Sequence, residues 1–127
     1  MRILVTGGLG FIGSNLVAHL LTKSKVRQIL IVDNQSKSST NYLQSITKFK
    51  YFSDIKKYKK SKARVVVVKA NIIDFKIANI LTINIDSIVH LAAESGIDIS
   101  ISNPKESFDT NVIGTFNYLE SARLNKV

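Results

Sequence analysis

The sequence predicts an α/β fold in which a parallel β-sheet is flanked by helices. Short apolar runs suited to buried strands alternate with longer stretches in which apolar residues recur at helical spacing. The first run is followed at once by a glycine-rich turn and then by a helix. The predicted element order is β-α-β-α-β-α-β-α, so we expect right-handed crossovers and a sheet truncated after about four strands.

The first strand and helix enclose the glycine-rich turn. Residues 2–6 are predicted to form the strand and about 11–23 the helix. Gly7 permits a sharp turn with a positive φ, Gly10 lets a phosphate approach the backbone, and Gly13 lets the helix lie close to the strand. This context predicts a Rossmann-type turn whose helix amides face a pyrophosphate, although its first two motif glycines are one residue further apart than in Gly-x-Gly-x-x-Gly. A tight turn without a ligand is the alternative.

The second predicted strand, residues 27–33, ends in an acidic residue. Asp33 follows Gly13 by 20 residues, near the spacing expected for a carboxylate that accepts hydrogen bonds from the adenosine ribose. A carboxylate there repels a 2′-phosphate, so NAD is favoured over NADP. Lys37 lies in the polar loop 34–40, close enough in sequence to soften that preference without reversing it.

The remaining elements follow the hydrophobic pattern. An apolar stripe predicts one helix or two short ones over 40–60, and four consecutive valines predict the third strand at 65–68. A short helix over 74–81 and a fourth strand over 87–90 come next. Pro104, the only proline, suits the first position of a helix that continues to the C-terminus. The apolar residues of this last helix, which we expect to face the sheet, are Phe108, Val112, Phe116, Leu119 and Ala122.

The composition limits the possible functions. A chain of 127 residues is expected to form one domain, residues 1–127, with a modest core. It has no cysteine, which excludes disulfides and thiolate metal sites, and we predict no metal centre. No segment resembles a signal peptide and no apolar run is long enough to span a bilayer. We therefore expect a cytoplasmic protein without a membrane partner.

Most of the net charge of +9 lies in one segment. Residues 48–64 contain eight basic residues and one acidic residue, Asp54, so +7 of the net charge falls there. Tyr51, Phe52 and Tyr58 lie among the lysines, as aromatic residues do in some nucleic-acid-binding segments. No known nucleic-acid-binding module accompanies the run, so a solvated helix face is the favoured interpretation and no nucleic-acid partner is predicted.

Together these motifs resemble the N-terminal half of an extended short-chain dehydrogenase/reductase, within the NAD-dependent nucleotide-sugar epimerases and 4,6-dehydratases. The resemblance covers nearly the whole chain, and its segments are 6–13, 32–34, 71–74, 90–95, 103–104, 108–115 and 119–122. It implies NAD as cofactor and a nucleotide sugar, oxidised at C4 to a 4-keto intermediate, as substrate. An epimerase is slightly favoured. The alternatives are a 4,6-dehydratase, a 4-keto-sugar reductase, and a non-catalytic dinucleotide-binding or interaction module.

The resemblance also implies roles for individual residues. Asn71 stands where the family usually has Asp, so the adenine amino group would meet an uncharged acceptor and bind more weakly. Ser95 would lie between the nicotinamide and the sugar, and Asn111 would approach the cofactor or brace the loop after His90. His90 itself is expected to be structural rather than catalytic. The residues implied in cofactor binding are Gly7, Gly10, Phe11, Ile12, Gly13, Asp33, Asn34, Gln35, Ser36, Asn71, Ile72, Leu91, Ala92, Ala93 and Thr110.

The residues that perform the family's chemistry are not found in this sequence. The family uses a Ser or Thr and a Tyr-x-x-x-Lys pair, in which the Lys lowers the pKa of the Tyr hydroxyl. Tyr58 and Lys62 alone have that spacing, and they precede the third strand instead of following a fifth. The chain is therefore expected to be an inactive cofactor-binding fragment. The resemblance further implies a homodimer that packs through the helix at 104–126.

Overall fold

The computed structural model describes residues 1–58 and 61–127, so Lys62 is included while two residues of the basic segment lie outside the described part. The strands are β1 (Arg2–Thr6), β2 (Gln28–Asp33), β3 (Lys50–Phe52), β4 (Val65–Lys69) and β5 (Ser87–His90). The helices are α1 (Phe11–Leu21), α2 (Asn41–Ile46), α3 (Phe75–Leu81), α4 (Ile97–Ser102), α5 (Pro104–Phe108) and α6 (Gly114–Asn125). A 3₁₀ turn covers Ile55–Lys57, and a π-helical turn at Asp109–Ile113 joins α5 to α6.

The strands form one parallel sheet in the order β3-β4-β2-β1-β5. This confirms the predicted fold class, with five strands among the described residues in place of about four. The chain moves from β1 through β2 to β4 on one side and returns to place β5 on the other side of β1. In open α/β sheets, ligands bind where the strand order reverses in this way. Thr6, at the end of β1, lies opposite Val32 of β2 and His90 of β5.

Helices cover both faces of the sheet, because successive side chains of a strand point to opposite sides. One core cluster combines Leu4 and Val66 with residues of α3 and with Tyr118 of α6. The other combines Val5 and Ile31 with residues of α1 and α2. Burial on both faces explains why the strands are continuous apolar runs. In the described part of the chain, no helix is both long enough and apolar enough to cross a membrane.

The prediction of helix over 40–60 is wrong beyond Ile46. After α2 the chain becomes extended, and β3 pairs in parallel with Val66–Val68 at the edge of the sheet. Phe49 packs against the α1/α2 cluster and Phe52 against the α3/α6 cluster. Two aromatic residues three positions apart therefore lie on opposite faces of the sheet, where a helix would have placed them on one side.

The predicted inward face of the last helix is also wrong. Phe116 is 60% and Leu119 is 66% exposed, and Phe108 and Val112 are exposed as well. The residues that α6 buries are Gly114, Asn117, Tyr118 and Ser121. Small and polar residues suit this face because the helix lies very close to the residues after β4: a Cβ on Gly114 would come within 2.5 Å of the Ile72 side chain. The π-helical turn before α6 also breaks the 3.6-residue period assumed in the prediction.

Candidate functional site

A cleft of about 500 Å³ lies at the carboxyl edge of the sheet, where β1, β2, β4 and β5 end. It brings together most of the residues implied in cofactor binding: Gly7, Gly10, Asp33, Asn34, Ser36, Asn71, Ile72, Leu91, Ala92, Ala93 and Thr110. The cleft lining does not include Phe11, Ile12, Gly13, Gln35 or Ser95. It does include residues for which sequence reasoning gave no role, among them Glu94 and Glu106.

The glycine turn has the backbone geometry that its sequence predicts. Gly7 has a φ of +65°, and a Cβ there would lie 2.7 Å from the backbone nitrogen of Ala92. A Cβ on Gly13 would lie 2.2 Å from the carbonyl oxygen of Gly7, so α1 packs directly against the turn. Gly10 is the N-cap of α1, and no side chain caps the helix. The start of α1 therefore presents backbone amides suited to an anion, with Phe11 and Ile12 on its exposed first turn.

Asp33 connects the glycine turn to the loop after β2. The residue is only 7% exposed, and Oδ2 of its carboxylate accepts a hydrogen bond from the amide of Leu9 at 3.1 Å. Oδ1 accepts from the amide of Gln35 at 2.9 Å and from the hydroxyl of Ser38 at 2.8 Å. A carboxylate has about four acceptor positions, so Oδ2 keeps capacity for one more donor. The acid is thus fixed in place with room to accept from a ligand hydroxyl.

Gln35 points away from the cleft, toward the edge of the sheet. Its backbone adopts a positive φ of 60°, and its side-chain oxygen accepts a 2.7 Å hydrogen bond from the hydroxyl of Tyr51 in β3. The loop that surrounds Asp33 is therefore tied to the strand that sequence reasoning missed. An aromatic residue of the basic segment here stabilises the loop instead of lying on a solvated helix.

Asn71 and Ile72 follow β4 and line the cleft beside Asp33, since Asp33 pairs with Lys69 at the end of β4. The side-chain oxygen of Asn71 accepts from the amide of Ile73 at 3.2 Å, which leaves that oxygen one further acceptor position. Ile72 is buried against α6, where Asn117 donates its side-chain amide to the Ile72 carbonyl at 3.1 Å. The part of the cleft lined by the loop after β4 is therefore supported from behind by α6.

His90 ends β5 and bonds with both ring nitrogens. Nδ1 lies 2.9 Å from the hydroxyl of Thr6, and Nε2 lies 3.3 Å from that of Thr115. Thr115 donates its own proton to the carbonyl of Asn111 at 2.7 Å, so its oxygen accepts from Nε2–H. Nδ1 then carries no proton and accepts from Thr6. Burial lowers the pKa of His90, and the neutral, doubly bonded imidazole is what a structural histidine requires.

The loop after β5 is held by two side chains. The hydroxyl of Thr6 accepts from the amides of Leu91 at 3.1 Å and Ala92 at 3.2 Å. Further along, the Asn111 side chain accepts from the amide of Glu94 at 2.8 Å and donates to its carbonyl at 2.9 Å. Asn111 therefore braces the loop after His90, which is one of the two roles considered for it.

Glu94 forms an ion pair across the cleft that the sequence did not indicate. Its Oε1 lies 2.5 Å from Nζ of Lys37, which belongs to the loop after β2. The hydrogen bond from Lys37, together with one from the amide of Gly96, lowers the pKa of the Glu94 carboxyl. Ser95, the residue implied in substrate contact, is exposed and lies outside the cleft lining.

Comparison with known proteins identifies relatives for this fold and cleft. A model of the GDP-mannose 4,6 dehydratase family matches residues 4–127. A dTDP-glucose 4,6-dehydratase of Mycolicibacterium smegmatis is 32% identical over 127 residues, which are 100% of this chain and 34% of that protein. A dTDP-glucose 4,6-dehydratase of Escherichia coli is 37% identical over 124 residues, which are 97% and 31% respectively.

Solved structures show the same relationship. A dTDP-glucose 4,6-dehydratase from Streptomyces venezuelae with NAD bound superposes with a TM-score of 0.81 at 30% identity, over 100% of this chain and 37% of that one. A UDP-glucose 4-epimerase of Thermus thermophilus in complex with NAD gives 0.74 at 26% identity, over 100% and 35%. The chain thus spans about a third of the length of these relatives and corresponds to their N-terminal part. It belongs to the GDP-mannose 4,6 dehydratase family of nucleotide-sugar epimerases and dehydratases.

Proposed function

We propose that this chain is the NAD-binding portion of a nucleotide-sugar 4,6-dehydratase, which oxidises a sugar at C4 and then eliminates water. The observation that most supports NAD binding is the position of Asp33 beside the glycine turn. Its carboxylate is fixed by three hydrogen bonds and can accept one more. When bound, NAD would be the acceptor of the hydride removed from the sugar. In this proposal the sugar is carried on a nucleoside diphosphate.

The dehydratase replaces the epimerase that the sequence slightly favoured. The curated relatives with identities of 32% and 37% are dTDP-glucose 4,6-dehydratases. The UDP-glucose 4-epimerases of Thermus thermophilus and Thermotoga maritima are 26% identical. The higher identity to dehydratases supports a 4,6-dehydratase over an epimerase.

The residues in and beside the cleft support a separate role for each group along the dinucleotide. The first-turn amides of α1 would bind the pyrophosphate, and Asp33 would accept from the adenosine ribose. Asn71 and Ile72 would flank the adenine. Leu91 to Ala93, after β5, would border the nicotinamide half, because the small side chains of Ala92 and Ala93 leave space at the strand end.

The described residues of the cleft include no tyrosine, so this chain would bind NAD without performing the chemistry. The catalytic tyrosine of the resembled family needs a lowered pKa, whereas burial raises the pKa of Tyr58. Tyr58 also lies against Phe52, with ring centroids 5.5 Å apart, and it is not among the residues that line the cleft. The Tyr58–Lys62 pair is therefore not proposed as catalytic.

Titration calorimetry of the 127-residue chain with NAD and NADP tests the cofactor assignment. We expect NAD to bind, and to bind more tightly than NADP, since Asp33 repels a 2′-phosphate. No binding of either, or tighter binding of NADP, would contradict the proposal. Reading the coding sequence beyond Val127 tests the rest, because a Tyr-x-x-x-Lys pair after one more strand is expected there.

We also propose a homodimer in which the outward face of α5 and α6 meets a second copy. Phe108, Val112, Phe116 and Leu119 lie three or four positions apart and are all exposed, so they form one apolar stripe along the helix. A contiguous exposed apolar surface is typical of a protein interface. The open edge of β5 offers a second surface for association.

A further inference from the structure

One ion pair connects the two loops that border the glycine turn. Lys37 follows β2 and Glu94 follows β5, and these strands lie on either side of β1 in the sheet. Nζ of Lys37 and Oε1 of Glu94 are 2.5 Å apart, and both residues line the cleft. The pair therefore sits at the mouth of the proposed cofactor site and not on a remote surface.

Glu94 is held in position without the help of Lys37. The Asn111 side chain bonds both its backbone amide and its carbonyl, and Gly96 donates its amide to the same Oε1 at 2.8 Å. The Glu94 side chain is 9% exposed, whereas that of Lys37 is 55% exposed. The fixed carboxylate of Glu94 therefore binds the ammonium of the half-exposed Lys37 side chain.

Without Glu94, the ammonium of Lys37 would be the free cation of the ribose loop. Ser38, the next residue, donates its hydroxyl to Asp33 at 2.8 Å, so the backbone of Lys37 lies beside the carboxylate proposed to hold the ribose. Among the described residues, Lys105 is the other lysine that lines the cleft, and it forms an ion pair with Asp109. In the part of the chain that the structure describes, Lys37 and Lys105 are thus each paired with a carboxylate, and neither supplies a free cation to balance the negative charge of Asp33.

We propose that Glu94 is a specificity-determining residue. Its ion pair with Lys37 prevents the ammonium from binding a 2′-phosphate and so strengthens the preference for NAD over NADP. This inference rests on the proposed NAD-binding function. A 2′-phosphate carries close to two negative charges, whereas the unmodified ribose carries none. A freed ammonium near that position would therefore improve NADP binding while leaving NAD binding nearly unchanged.

The test measures the dissociation constants of NAD and NADP by calorimetry at low salt for the full chain and four variants. The variants are Glu94→Gln, Lys37→Gln, the double variant and Glu106→Gln. Glutamine keeps the size of Glu94 and can still accept from Gly96, but it removes the negative charge that attracts the ammonium of Lys37. We expect Glu94→Gln to shift the ratio of affinities toward NADP about two- to fivefold, the range of an exposed ion pair. The shift should shrink at high salt, because exposed charges are screened.

Two comparisons make the result specific. In the Lys37→Gln background, Glu94→Gln is expected to leave the ratio nearly unchanged. Glu106 also lines the cleft, but it accepts from Asn103 instead of a lysine, so Glu106→Gln controls for the loss of one negative charge. An unchanged ratio in Glu94→Gln, an effect that persists without Lys37, or an equal effect of Glu106→Gln would overturn the inference alone. Failure of the wild-type chain to bind NAD, NADP or ADP-ribose would overturn the proposed function and this inference with it.

Discussion

At the scale of single residues, Gly7 and Gly10 make different contributions to one turn. Gly7 has a positive φ and lies against the backbone of Ala92, whereas a Cβ on Gly10 would meet only the Gly7 carbonyl oxygen, at 3.3 Å. We expect Gly7→Ala to lower the free energy of unfolding by about 2–3 kcal/mol or more, the cost of a strained backbone plus the contact. Urea unfolding followed by circular dichroism measures this.

Gly10→Ala is the matched control for that substitution. We expect it to change stability by less than about 1 kcal/mol, since Gly10 has an ordinary extended conformation with a φ of −71°. It should instead weaken NAD binding, because its methyl group enters the cleft where the pyrophosphate is proposed to lie. Equal stability losses in the two variants would contradict the different constraints inferred for them.

His90 should make stability depend on pH. Its pKa is lowered in the folded protein, so the unfolded chain binds more protons over the range below the ordinary value of about 6.5. The stabilisation is complete above that value and is lost as the pH falls from 6.5 toward the folded pKa. Protonation would place a third donor, Nδ1–H, against the Thr6 oxygen, which already accepts from two amides.

Unfolding free energies measured between pH 7.5 and pH 5 check this expectation. His90→Gln should flatten the decrease in this range, although it will also lower stability at neutral pH. His19→Gln is the control, since His19 is exposed on α1 and the decrease should persist in that variant. A steeper loss of stability in His90→Gln than in the wild type would contradict the assignment.

Local sequence predicted the glycines and Asp33 but not the contacts that complete the site. Gly7, Gly13 and Asp33 act through backbone geometry and spacing within one β-α-β unit, which a short stretch of sequence specifies. The Lys37–Glu94 pair joins residues 57 positions apart in the chain. No periodicity relates such residues, and only the parallel sheet brings the two loops together.

At the scale of elements, α6 buries its small and polar face. Substitutions of two neighbouring residues, one buried and one exposed, test this orientation. Asn117 donates a buried hydrogen bond to the Ile72 carbonyl, whereas its neighbour Phe116 is exposed. We expect Asn117→Ala to cost about 1–3 kcal/mol of unfolding free energy and Phe116→Ala less than about 0.5 kcal/mol in the monomeric state. If the apolar face packed on the sheet, the order would be reversed, because removing a buried Phe costs about 3–5 kcal/mol. Thermal or urea unfolding at low protein concentration distinguishes the two orientations.

The elements that the sequence predicted well are those whose own pattern determines them. Four consecutive valines, Val65 to Val68, strongly favour a buried strand. Asp74 caps α3 through its side chain, in agreement with the predicted start of that helix at residue 74. The errors lie where long-range contacts decide. β3 exists because the edge of β4 is available for pairing, and the orientation of α6 depends on a π-helical turn and on the small residue Gly114.

At the scale of the whole molecule, we expect the chain to associate. The apolar stripe of α5 and α6 and the open edge of β5 are both accessible in the monomer. Light scattering at micromolar concentration and moderate salt should give a mass above that of one chain, 14.1 kDa. Phe116→Glu together with Leu119→Glu should return it to a monomer without unfolding. A single-chain mass for the unsubstituted protein would refute the prediction.

The double hydrogen bond of Thr6 to the amides of Leu91 and Ala92 has a consequence for the energetics of ligand capture. These amides lie beyond the last residue of β5, yet the side chain of a buried strand residue anchors them. The segment that borders the cleft is consequently ordered by the sheet itself and does not await a ligand. In a preorganised site, ordering of a loop does not reduce the free energy of binding. Their association rate is then limited by encounter and desolvation, and their amides resist hydrogen exchange even in the empty state.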